Sequence, residues 1–443
     1  MELWRRWIGW GARDREILAL AVPALGALLA EPLYILADTA VVGHLGTPQL
    51  GGLSLASGVL LIALTVFVFL AYGTTSSVAR LLGAGEERRA AHQAVQSLWL
   101  AVLLGVTIAG VLYAIRTPLI AALGGEGDVA VHANNYLRIS LLGLPGMLVA
   151  LAGVGYLRGL QDTKRPLYVA LGTAALNLVL ELVLIYGFRQ GIGASALSTV
   201  IAQWIGAAAY IGWIARAVRR QGVGLTPDLS VIKSLAGAGL DLFHRNATMR
   251  LGLTTTLAVA ARMGDDALAA HEIAFQVWTT LALFLDAVAI AAQAMIGNAL
   301  GAGNVDDVRA LSRRMMQWGW STGAMAGVLM LAVSGVLPAV FTGDEAVREL
   351  AAVLLIYVAV FSPMNGAAFV LDGILIGAGD LRFLAVATAA ASAVLTGGAL
   401  LVGALGAGIS WLWVSLGAWM AIRLVLLGLR FLGGAWIVTG ADK

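Results

Sequence analysis

The chain has no cysteine, little charge and almost no lysine, and each shortage excludes something. Without a thiol among its 443 residues there is neither a disulfide nor a thiolate metal site. Charged side chains are 12% of the total and hydrophobic ones 60%, whereas a soluble domain is about a quarter charged, so a soluble fold is excluded. The motifs H-E-x-x-H and G-x-S-x-G are missing and no histidines cluster, so no enzyme activity is expected. The apolar runs do not alternate polar with apolar as barrel strands do, which leaves an all-α polytopic membrane protein. Lys occurs only at 164, 233 and 443, so Arg supplies 25 of the 28 basic residues, the mark of a GC-rich, bacterial coding sequence. The start, W-R-R-W-I-G-W-G-A-R-D-R, lacks the separate short apolar core and small-residue site of a cleaved leader, and none is expected.

What is abundant is long apolar runs. Twelve segments, at 17–42, 50–79, 94–115, 132–157, 167–187, 192–215, 234–261, 267–299, 315–337, 347–376, 383–405 and 407–429, each reach the roughly 20 residues needed to cross a bilayer. With the N-terminus placed inside, 21 basic residues, Arg5, Arg6, Arg423, Arg430 and Lys443 among them, fall on the cytoplasmic side. Only Arg116, Arg189, Arg262 and Arg348 fall outside. That asymmetry satisfies the positive-inside rule with both termini cytoplasmic. The net charge of +3 therefore reports topology, and no nucleic-acid partner is expected. Trp4, Trp7, Trp10, Trp411 and Trp436 sit near segment ends as interfacial anchors.

An internal repeat appears at an offset of 218 residues. Leu82-Gly83-Ala84-Gly85 matches Leu300-Gly301-Ala302-Gly303, and Gly46, Leu50, Pro145 and Asp162 match Gly264, Leu268, Pro363 and Asp380. The L-G-A-G turns read as helix ends with a glycine in the left-handed cap conformation. Since 218 residues contain six segments, the halves share orientation. The expected organisation is an N-terminal six-helix lobe over 1–215, a basic linker over 216–233 and a C-terminal six-helix lobe over 234–443, an architecture of transporters.

The acids break this symmetry. Asp38 lies inside the first apolar segment, where a carboxylate costs about 2.5–3.5 kcal/mol on insertion scales and marks a functional site by default. Tyr34 stands one turn before it and Glu31 two turns before, on the same face. Pro23 and Pro32 weaken that helix and predict bending. In the fifth segment Asn177 and Glu181 share a face, and Thr199 adds a hydroxyl from the sixth. In the second half these positions become Thr256 (for Asp38), Leu395 (for Asn177) and Ala399 (for Glu181). A carboxylate kept for packing would appear twice, so the first half carries a specialised acidic site. Two carboxyls in one low-dielectric cavity hold a proton, or coordinate Na+ through Asp38, Asn177 and Glu181 with the Tyr34 and Thr199 oxygens.

The second half offers Asp241, Arg245, Arg250, Glu272, Asp286 and Asp372. Asp241 and Arg245 are i,i+4 and read first as an internal ion pair. Asp286 and Asp372 suit either a cationic substrate or a counter-ion role for Arg245 and Arg250. Gln276, Met249 and other Met residues provide adaptable contacts for a cavity that accepts many shapes. Small amphiphilic, cationic substrates fit the acidic cavity, and the arginines leave anionic amphiphiles open.

The stretches L-A-D-T-A-V-V-G-H-L-G (36–46), R-L-L-G-A-G-E (80–86), Y-L-R-G-L-Q-D-T (156–163), A-L-A-A-H-E-I-A-F-Q-V-W (267–278), F-L-D-A-V-A-I-A-A-Q-A-M-I-G-N-A-L-G-A-G (284–303) and F-V-L-D-G-I-L-I-G-A-G-D (369–380) together resemble the multidrug and toxic compound extrusion (MATE) family, in its DinF branch. The resemblance spans nearly the whole chain. It implies a monomeric cation-coupled antiporter of a bacterial inner membrane, with twelve helices in two lobes and a V-shaped cavity open to each side in turn. It implies no cofactor beyond the coupling ion, H+ or Na+. The family's first-helix coupling Asp matches Asp38, its fifth-helix N-x-x-x-D matches Asn177 and position 181, and its Tyr and Thr match Tyr34 and Thr199. Glu181 departs from the usual Asp, and the extra methylene disfavours tight Na+ coordination more than proton binding. Glu272, where relatives commonly carry Gln after the His, is an added candidate contact. The runner-up is a lipid-linked precursor flippase of the same wider superfamily, which would need more helices and a strongly basic cavity.

Overall fold

The computed structural model describes residues 11–188 and 190–441, apart from the side chains of 62–66. Trp4, Trp7, Trp10, Arg5, Arg6, Arg189 and Lys443 lie outside the described residues. Among the described residues the chain forms fourteen α-helices and no strand. They are α1 (Ala12–Gly43), α2 (Thr47–Phe67), α3 (Phe69–Gly83), α4 (Glu87–Ala122), α5 (Gly127–Ser140), α6 (Leu144–Gly159) and α7 (Lys164–Leu182). The second series is α8 (Ile192–Gln221), α9 (Leu229–Ala261), α10 (Asp265–Gly301), α11 (Val305–Val333), α12 (Glu345–Gly377), α13 (Leu381–Ala404) and α14 (Ile409–Gly433). A π-helical turn, Val183–Gly187, extends α7. Eight helices are individually long and apolar enough to span a membrane, and α5 with α6, bent by 51° at their junction, make a ninth span. The twelve apolar segments correspond one for one to these elements once α2 with α3 and α5 with α6 are each taken as one span.

The chain clusters into two compact units, Gly26–Gly239 and Leu240–Lys443, the latter joined by the chain up to Leu25. Each has its own apolar core. In the first, Leu53, Leu137, Leu141, Leu144 and Ile192 are buried together. In the second, Leu354, Leu395, Leu412, Trp413 and Trp419 are. α1 is one unbroken helix through Pro23 and Pro32, yet its beginning belongs to one unit and its acid-bearing remainder to the other.

The repeat holds at the level of the backbone. Gly85 and Gly303 take φ of +76° and +78°, the left-handed cap the sequence predicts, and Gly46 and Gly264 are also positive. Gly379 has φ +68°, and its counterpart 218 residues earlier is Gln161, whose φ of +57° is the one positive value at a non-glycine among the described residues. Close helix packing repeats as well. A Cβ on Gly105 would stand 2.5 Å from Pro145 Cα, and one on the equivalent Gly323 would stand 2.8 Å from Pro363 Cα.

At the start of α1 the Asp14 carboxylate is buried and fully engaged. It accepts from Arg314 Nε (2.7 Å) and Nη2 (2.8 Å) and from Trp318 Nε1 (2.8 Å) on α11, and from Gly11 N. The residue equivalent to Arg314 in the first half, Gln96 on α4, does a parallel task. It donates to Thr226 O (3.1 Å) and accepts from Asp228 N (2.8 Å), just ahead of α9.

Candidate functional site

The acidic site forms where α1, α7 and α8 approach. Asp38 and Glu181 are buried at 5% and 0% exposure, and Asn177 is buried beside them. The helical spacing places Tyr34 and Asp38 on one face of α1, and Asn177 and Glu181 on one face of α7. All four line one cavity of about 250 Å³, whose lining contains no Arg or Lys among the described residues. Two residues after Glu181 the chain widens into the π turn, a departure from α geometry often found beside functional residues.

Hydrogen-bond directions can be assigned by counting protons. Thr199 has one hydroxyl proton, and it goes to Ser195 O (3.0 Å). Tyr34, 2.9 Å from Thr199 Oγ1, and Asn177 Nδ2, 3.0 Å away, are therefore the donors to that oxygen. Ser195 Oγ donates to Asp38 Oδ1 at 2.6 Å, a charge-assisted geometry. The groups left open are all acceptors: both Glu181 carboxyl oxygens and Asn177 Oδ1 have no partner. Such an oxygen set calls for a proton or a small cation, because each buried acceptor without a donor costs about 1–3 kcal/mol.

The structure thus brings together Tyr34, Asp38, Asn177, Glu181 and Thr199. Ser195, fully buried, was not singled out from the sequence, although its i,i+4 spacing from Thr199 on α8 was available. Tyr136, also buried, lies close enough to Asp38, Ser195 and Thr199 to interact with them. In the sequence it is indistinguishable from a core aromatic.

The equivalent place in the second half carries no charge: Thr256, Leu395 and Ala399 are fully buried, and Thr256 Oγ1 is spent on Leu253 O. A different cluster forms there. Arg245 Nη2 on α9 reaches Asp372 Oδ2 on α12 at 2.6 Å, and Asp372 is nearly inaccessible whereas the i,i+4 neighbour Asp241 is only half-buried. Arg423 donates to the same oxygen. Asp372 is therefore a counter-ion for Arg245 and Arg423, not for Arg250, which is exposed. Arg423, counted from sequence as a cytoplasmic loop charge, stands inside α14 at 2% exposure. Glu272 and Gln276 are exposed, Asp286 half-buried, and Met249 packs on the apolar core of this unit.

Comparison with known proteins bears on both halves. The MatE family model matches residues 23–183 and again 243–397, once in each repeat. Protein DETOXIFICATION 44, chloroplastic, of Arabidopsis thaliana is 30% identical over 97% of this chain and 82% of its own length. DNA damage-inducible protein F of Escherichia coli is 27% identical over 82% of this chain and 81% of its own. A crystal structure of a MATE transporter from Vibrio cholerae superposes with a TM-score of 0.87 at 20% identity, over 96% of this chain and 98% of that one.

Proposed function

The chain belongs to the MatE family, and from that premise we propose that it is a cation-coupled antiporter that expels small amphiphilic compounds by alternating access, with H+ favoured over Na+. The observation that carries this is the pair of buried carboxyls, Asp38 and Glu181, lining one cavity without a basic partner. Two like charges facing each other in a low-dielectric site repel strongly, so the pair gains by taking up one positive charge and again by releasing it.

A proton is favoured because a carboxyl pair can hold it without a coordination shell, and the Glu181 carboxyl stands near the Asp38 carboxyl and the Ser195 hydroxyl. Na+ is the second reading, supported by the open Asn177 Oδ1. Binding removes the repulsion between α1 and α7 and lets α1 change its bend at Pro23 and Pro32. The cavity of the first unit then closes, and substrate leaves outward. Ion release on the inner side resets the cycle. The charge asymmetry of the loops supports an orientation with both termini on the cytoplasmic side of a bacterial inner membrane.

The test is efflux from proteoliposomes under an imposed pH or Na+ gradient, wild type beside Asp38→Asn. Drive by pH, abolished in a correctly folded Asp38→Asn, is the expected result. Drive by Na+ alone would replace the coupling ion, and normal coupled efflux by the variant would overturn the site. Drive by neither gradient would shift the reading to the flippase.

A further inference from the structure

The second unit holds buried donors that the acidic site does not use. On α14 the indole N–H groups of Trp413 and Trp419 and the Nε–H of Arg423 have no acceptor, and all three side chains are at least 98% buried. Indole and guanidinium nitrogens are donors only, so nothing but an acceptor can satisfy them. Arg423 shares one carboxylate oxygen, Asp372 Oδ2, with Arg245. The charges facing Arg423 are one acid and one other cation, so two guanidiniums draw on a single carboxylate. These open donors ask for an oxyanion, and Asp372 Oδ1, an acceptor likewise without a partner, is the acid that competes with it.

An apolar wall runs up to these donors. His271, Phe275 and Trp278 follow one another along α10 at ring separations of 5.8 and 5.5 Å, Trp278 meets Trp419 at 6.2 Å, and Arg423 lies over the Trp419 ring at 5.1 Å. Of the two arginines, Arg245 is the more accessible. We propose that Arg245 and Arg423, with the Trp419 N–H, form a subsite for the carboxylate or sulfonate head of an amphiphile whose ring body lies along Trp278 and Phe275. The transported compounds then include organic anions, with the driving ion handled in the first unit and the anionic head in the second. This rests on the reading of the chain as an exporter.

Binding is measured by calorimetry on the full chain in nanodiscs, with naphthalene-2-sulfonate against 2-naphthylmethylammonium, matched in their apolar bodies. The sulfonate is expected to bind at least about tenfold more tightly, the size of one favourable close charge pair. Arg245→Gln should weaken the sulfonate about tenfold, whereas Asp372→Asn, which removes the competing acid, should strengthen it. Arg423→Lys, retaining the charge, should bind better than Arg423→Gln. If Arg423→Gln does not fold, the opposite signs at positions 245 and 372 decide the matter. Equal affinity for the two probes, or loss of sulfonate binding in a folded Asp372→Asn, would overturn the subsite. Equilibrium binding needs no ion gradient, so failure here leaves the coupling site standing, and a failed flux assay leaves this one standing.

Discussion

Two buried charge clusters sit on closely similar helical frames and have opposite signs. In the first unit two acids share a cavity with hydroxyls and amides. In the second, two guanidiniums share one carboxylate oxygen. The frames match down to equivalent glycines packed on equivalent prolines, so the difference comes from a few side chains and not from the fold. A duplicated scaffold can carry clusters of opposite sign in its two halves, because each cluster is assembled from helix faces that the repeat places but does not chemically prescribe.

That comparison can be broken most sharply at Asp372. Asp372→Ala leaves two guanidiniums without their shared acid and should cost about 3–5 kcal/mol, as loss of one partner of a buried pair does. It would be read as a large fall in thermal unfolding temperature, partly restored by naphthalene-2-sulfonate. Next comes the packing that both halves share. Gly105→Ala and Gly323→Ala should each cost about 1–3 kcal/mol through overpacking against proline backbone. A strong effect at only one of them would show that the frames are not energetically equivalent. Glu181→Gln should do less to stability, within about 1 kcal/mol, since the carboxyl accepts no hydrogen bond. Gradient-driven efflux should nevertheless disappear, separating function from stability in the first unit as Asp372 joins them in the second.

The smallest effect is expected in the loop before α9, outside the membrane spans. Hydrogen bonds from the Ser230 hydroxyl and amide hold the Asp228 carboxyl below its usual pKa. A group with a lowered folded-state pKa stabilises above its unfolded value and loses that contribution as pH falls. Asp228→Ala should therefore lower the unfolding temperature slightly at neutral pH, and the gap should close once pH drops below about 3.9.

Much of this was legible in the residues. The spans, the offset of 218 and the five acidic-site residues follow from apolar length, glycine turns and the cost of a carboxylate in lipid. Partner choice over long separations was not legible. Asp241 is the obvious mate for Arg245 within one turn, and only the folded chain shows Arg245 and Arg423 meeting at Asp372. Arg423 was misplaced because a charge near the end of an apolar run looks the same whether it reaches water or an acid 51 residues away. Ser195 was passed over because a serine on a helix usually bonds its own backbone.

The engagement of Asp14 by Arg314 also has a consequence for synthesis. The two residues are 300 positions apart, so at about 5–20 residues per second the carboxylate waits roughly 15–60 s for its partner to be made. The start of α1 is thus among the last pieces to dock. Gln96, by contrast, meets Thr226 after only 130 residues. The unit carrying the acidic site can complete itself early, while the first turn of α1 stays unsecured until most of the second half has been inserted.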